Sequence, residues 1–196
     1  MSRALLVAAG GLLIAWTPAL AQGAGPQGAL VSAAGIATAT VIKPIAVRRI
    51  SDLDFGIIAN SGESGSVIVA PGVSGARYGG SASRGCAADG DCPEPHVSSF
   101  EVAGEANRSY AIGVPARVAI AGEALLSGRA QGERAPAPLH LEKISLRSAS
   151  RPHAGPAGRL GPDGRDRFDL GGTLRISGTI SPARYRASIP VIITYN

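Results

Sequence analysis

The feature that most constrains this chain is a period of two. "SSFEVAG" sets Phe100 and Val102 on one side of Glu101, "SYAIGVP" puts Tyr110, Ile112 and Val114 on one face, and "ARVAIAG" pairs Val118 with Ile120. Alternation of this kind marks half-buried β-strands. "ATATVIKPIAV", "GSVIVAP" and "GGTLRISGTI" add β-branched runs, the last with Leu174 and Ile176 on one face. "DLDFGII" also alternates, with Leu53, Phe55 and Ile57 inward and Asp52 and Asp54 outward. In "PLHLEKISLRS" the parity changes between Leu139/Leu141 and Ile144/Leu146. That change predicts a bulge near Glu142 and Lys143, or a break into two strands. Gly, Pro, Asn and Asp separate the runs, and no long stretch has helical periodicity. The pattern predicts an all-β sandwich. Phe55, Phe100, Tyr110, Leu174, Ile176 and Val191 share inward parity and are expected to form one core. Segments 79–95, 127–138 and 148–167 are poor in large apolar residues and read as surface loops.

The chain closes on "RYRASIPVIITYN". Tyr185, Ala187, Ile189, Val191, Ile193 and Tyr195 fall on one face of an extended strand, with Arg184, Arg186, Ser188, Pro190, Ile192 and Thr194 on the other. Chain ends usually fray. A clean amphipathic strand at the last residues therefore calls for a reason.

The first residues have the layout of a secretory signal peptide. Arg3 is followed by an apolar run from Ala4 to Trp16, then Pro18 and the small-residue site Ala19-Leu20-Ala21. The run is too short to span a bilayer, which takes roughly 20 residues. Cleavage after Ala21 would leave 196 − 21 = 175 residues, enough for one domain. The expected organisation is a signal over 1–21, a flexible arm over 22–35 and a single β-sandwich over 36–196. No later segment is apolar enough for a stable membrane span, so the expectation is export, from periplasm to cell surface or beyond. The only two cysteines, Cys86 and Cys92 in "CAADGDC", read in that setting as a disulfide closing a small loop.

The chain carries 19 Lys and Arg against 14 Asp and Glu, a net charge of +5. Arg147, Arg151, Arg159, Arg165 and Arg167 lie among Pro, Gly and Ser and read as solvated loop residues. Nucleic-acid binding would interleave cations with aromatics, so no nucleic-acid partner is expected. No nucleophile-plus-base grouping, metal-ligand spacing or phosphate loop is visible. His96, His140 and His153 are scattered, and His140, between Leu139 and Leu141, is expected to face solvent. Asp52 and Asp54 read as an edge-protecting charge rather than a catalytic pair. The chain is accordingly expected to be no enzyme and to need no cofactor or metal.

"ATATVIKPIAV", "DLDFGIIA", "SFEVAGEANRSYAIGVP", "GGTLRISG" and "ARYRASIPVIITYN", taken in order, resemble domain-of-unknown-function family 4402 (DUF4402) from about Ala37 to Asn196. Its most specific pieces here are the core motif Leu53-Asp54-Phe55-Gly56 and the terminal strand. The layout is similar to that of spore-coat-U-like and archaic chaperone–usher pilins. That resemblance implies an immunoglobulin-like sandwich with an incomplete edge beside its last strand. A periplasmic chaperone, and then the arm of another subunit, would fill the edge by β-strand addition. The interface would be Tyr185, Ala187, Ile189, Val191, Ile193 and Tyr195. The donor would be either the arm before Ile36 or "IATATV". The implied function is a non-enzymatic structural subunit of a surface fibre or coat, with a chaperone and related subunits as partners. The alternative is a self-contained extracellular binding module whose loops hold the ligand.

Overall fold

The structure, a computed structural model, describes residues 34–86, 92–124, 136–178 and 180–196. The proposed signal peptide and almost all of the arm lie outside the described residues. Every strand belongs to the unit Val41–Asn196, and there is no helix among the described residues.

The organising element is β9 (Arg165–Ile176), which changes partner along its length. Its first half pairs with β4 (Ser98–Ala103), and β4 with β1 (Ala46–Ser51). Its second half pairs with β2 (Ile58–Val69), and β2 with β3 (Arg77–Arg84). On the opposite side of β9 the order runs β7 (Leu139–Ser148), β6 (Arg117–Ala124) and β10 (Ala183–Arg186). The smaller sheet is β8 (Ala157–Arg159), β5 (Ser109–Gly113) and β11 (Ile192–Tyr195), with β5 in the middle. All pairings are antiparallel.

Because β9 is long, its inward residues serve two clusters rather than one. Phe168 joins Val102, Tyr110, Ile112 and Leu160 between the two sheets. Leu174 and Ile176 join Val67, Ile120, Leu139 and Leu141 under the other half of the large sheet. The single core expected from parity is thus divided. Phe100 stacks on Phe168 with ring centroids 4.9 Å apart, and it packs with Val191 on the first cluster. Phe55 packs with Leu174 and Ile176 on the second. Much of the cover over that second cluster, including Leu53, Phe55, Ile180 and Ile189, comes from segments outside any strand.

Several sequence expectations need correction. The first strand takes only the last two residues of "ATATVIKPIAV", beginning at Ala46, because the Lys43 N–H goes to the Glu105 carboxylate at 3.0 Å and Pro44 has no N–H. Most of β3 and all of β8 fall inside two segments read as loops, and so does the start of β9. "GGSAS" and "AGR" carry almost no large side chains, so their pairing has no hydrophobic alternation to reveal it. His140 faces the outer side of the sheet, as its parity with Leu139 and Leu141 implies, but is half-buried there. It lies mid-sheet between Ala119 and Arg175, and its Nδ1 is buried without a hydrogen-bond partner in the described structure. The parity change in β7 is a bulge: the register with β9 shifts between Glu142 and Ser145, and Lys143 takes a φ of 49°.

Candidate functional site

"LDFG" is a turn, not a strand. Asp54 Oδ1 accepts the Gly56 N–H at 2.7 Å, folding the chain back over Phe55. Asp and Asn make this local bond readily. Gly56 sits at φ 70°, a left-handed conformation that favours glycine, and a Cβ there would crowd Pro95 at 3.1 Å. The Asp54 backbone exchanges two 2.9 Å bonds with His96. Leu53 and Phe55 reach the second cluster, while Ile57, expected inward, is 51% exposed. Asp52 is exposed and pairs with Arg49 at 2.6 Å. The two carboxylates thus have separate structural tasks. Asp54 is not the solvent-face charge expected of it, because the turn consumes it.

The disulfide joins Cys86 and Cys92, with Cα atoms 6.4 Å apart. It ties the end of β3 to the Pro93–His96 segment that backs onto Gly56. Closing so short a loop stabilises by about 2–3 kcal/mol at most. Reduction, or Cys86→Ser with Cys92→Ser, is expected to lower the urea midpoint modestly without abolishing folding. An unchanged midpoint contradicts this.

The terminal segment is two strands on two sheets. β10 pairs with β6, and β11 pairs with β5. Residues 187–191 cross between them, and Pro190, with no N–H to give a ladder, lies within the crossing. The expected single strand is therefore corrected, although its parity largely survives. Tyr185 and Ile189 pack on the second cluster; Val191, Ile193 and Tyr195 pack on the first; Ala187 is exposed. Burial raises the Tyr185 phenol pKa above its usual value.

β11 is an edge. Its register sets Ile193 opposite Ile112 and Tyr195 opposite Tyr110, and β5 is its sole strand partner among the described residues. The Asn196 N–H bonds the Ser109 carbonyl at 3.1 Å. Antiparallel ladders alternate, so Thr194 and Ile192 also point their N–H groups toward β5, while those of Ile193 and Tyr195 point to the open side. Ile192 lies beside them at 65% exposed.

Tyr195 pins this edge. Its hydroxyl accepts the Glu105 N–H at 2.6 Å and donates to the Lys43 carbonyl at 2.8 Å. The Arg108 guanidinium lies 5.4 Å from its ring centroid. Gly104 is glycine because a Cβ there would strike the Tyr195 hydroxyl. Neither partner is legible in the sequence, since Lys43 and Glu105 are 152 and 90 residues away. The penultimate tyrosine thus holds both the β4–β5 turn and the approach to β1.

Beneath β11, Tyr110 is fully buried and its hydroxyl donates to Asp166 Oδ2 at 2.9 Å. Asp166 also accepts from the Arg167 N–H at 2.8 Å, the Ser150 N–H at 3.2 Å and the Ser150 hydroxyl. Burial first, then Asp166, pushes the Tyr110 pKa far above its usual 10.0. A phenol raised in the folded state contributes stability that is complete below the unfolded pKa, about 10, and is lost as pH climbs above it. Stability is expected to fall above pH ~10, and Tyr110→Phe should flatten that fall. Spectrophotometric titration should leave one of the four tyrosines protonated until unfolding. Four tyrosines titrating together in folded protein would contradict this.

No group of three His, Cys, Asp or Glu that could hold a metal occurs among the described residues, and no helix there is long and apolar enough to cross a membrane. The sequence model of a protein family described as "Domain of unknown function (DUF4402)" matches residues 45–195. No curated protein and no solved structure matches the chain.

Proposed function

The chain belongs to the DUF4402 family, and from that premise we propose that it is an exported, non-enzymatic structural subunit of a cell-surface fibre or coat. Assembly proceeds by β-strand addition along β11, with a periplasmic chaperone occupying the edge before another subunit does. The observation that carries this reading is the open side of β11. It offers the Ile193 and Tyr195 N–H groups to a further strand, next to the exposed Ile192. The imbalance between an eight-stranded and a three-stranded sheet supports it, because part of the large sheet is covered by irregular chain instead of strands. Strand addition supplies backbone bonds for affinity and pockets for alternate side chains.

One observation favours the second reading, a self-contained binding module. Val102 and Tyr110 are 0% exposed without any added strand. The two readings separate on removal of residues 22–41. A fibre subunit beginning at Gln22 should form concentration-dependent oligomers in size-exclusion chromatography, and the shortened chain should remain monomeric. Monomers from both chains would favour the module.

A further inference from the structure

Of the arginines read as loop residues, Arg147, Arg165 and Arg167 lie on strands of the large sheet and share its outer face, while Arg159 lies on β8 of the smaller sheet. On β9, Arg167 and Arg175 alternate with the buried Phe168, Leu174 and Ile176 and so stand on the outer side of the large sheet. Arg147 on β7 lies opposite Asp169, and Arg117 on β6 lies opposite Glu142. Of the carboxylates on this face, Asp169 accepts the Ser99 hydroxyl at 2.6 Å, and Glu142 and Glu101 are each shared between two arginines. Glu142 sits 2.9 Å from Arg117 and 3.7 Å from Arg175. Glu101 sits 3.4 Å from Arg48 and 3.0 Å from Arg165. Each of these glutamates neutralises one of two guanidinium groups and leaves the other's charge uncompensated.

Two shallow depressions open on the large sheet. One is lined by Arg117 and Arg175 with Glu142, Ser64 and Ser66, two cations against one acid. The other is lined by Arg147 and Arg167 with Ser99 and Asp169, two cations against one acid. The eight residue steps from Arg167 to Arg175 span about 26 Å of extended strand, too far for one small anion to bridge. An extended polymer with charges at intervals matches that spacing. The aromatic bordering either depression is Phe168, whose ring is stacked in the core at 1% exposure. Bases would therefore find no stacking platform. Guanidinium forks bind carboxylate and sulfate oxygens in pairs, and the serine hydroxyls can bond sugar hydroxyls.

We infer that the outer face of the large sheet binds an acidic polysaccharide, a chain of sugar rings bearing carboxylate or sulfate groups, across both arginine-lined depressions. The inference is independent of strand addition at β11. The test is surface plasmon resonance of the mature protein on immobilised heparin (sulfated), polygalacturonate (carboxylated), uncharged dextran and duplex DNA. One or both acidic polysaccharides should bind, and which of them does identifies the anionic group. Dextran should not bind, and affinity should fall steeply with salt. Arg147→Glu with Arg175→Glu should weaken binding at least tenfold, while Arg159→Glu on β8 of the smaller sheet should change it less than twofold. Arg147→Gln with Arg175→Gln, which removes charge without adding repulsion, should weaken binding in the same order and serves if the reversal perturbs folding. Neither polysaccharide binding at about 50 mM salt would overturn the inference. So would equal losses from Arg159→Glu and the double variants, or DNA binding as tightly as either polysaccharide.

Discussion

Phe168→Ala is expected to cost about 3–5 kcal/mol, the range for removing a buried phenylalanine. Phe168 is 1% exposed, sits where β9 is flanked by β4 and β7, and stacks on Phe100 at an interplanar angle of 11°. The stacking adds roughly 0.5–1.5 kcal/mol beyond the area buried. Phe100→Ala should cost less, because Phe100 is only half-buried. Urea unfolding monitored by circular dichroism measures both. A Phe168→Ala midpoint equal to that of the parent would refute the inter-sheet cluster as the main source of cohesion.

Ile193→Asp is expected to abolish capture of a donor strand. Ile193 faces the inter-sheet cluster from β11, next to the open edge, and a carboxylate there would have to lose water without a partner. Thr194 points the other way and is exposed, so Thr194→Ser should lie within about 0.5 kcal/mol of the parent and retain binding. Fluorescence anisotropy with a labelled peptide of residues 22–41 reads the difference, and circular dichroism establishes that each variant is folded. Equal binding by folded Ile193→Asp and by Thr194→Ser would remove β11 as the interface.

Side-chain parity carried much of the fold. Val102, Tyr110, Ile112, Leu174 and Ile176 are buried as their alternation implies, and the β7 bulge sits where the parity changes. The disulfide pairs the only two cysteines. Parity failed where backbone or side-chain hydrogen bonds outweighed it. "DLDFGII" alternates as a strand would, yet the bond from Asp54 to the Gly56 N–H makes it a turn. The Asp-x-Gly spacing was the available signal. The terminal run keeps one inward face but changes sheets near Pro190, because the two clusters it covers lie on different halves of the large sheet. Parity says which side is buried, not against which partner. It also could not bring Arg147, Arg167 and Arg175 onto one face, since that depends on the order β7-β9 in the sheet. The Tyr195 hydroxyl shows the same limit, because its partners are set by folding and not by spacing.

The most direct test of strand addition is amide hydrogen exchange across Ile192–Tyr195, resolved by residue, with and without the peptide of residues 22–41. The shortened chain should be used, so that the edge starts unfilled. The Ile193 and Tyr195 amides, which face away from β5, are predicted to exchange quickly in the free protein and to slow at least tenfold when the peptide binds. The amides of Ile192 and Thr194, already bonded to β5, should change much less. Unaltered exchange at Ile193 and Tyr195 under saturating peptide would contradict the account.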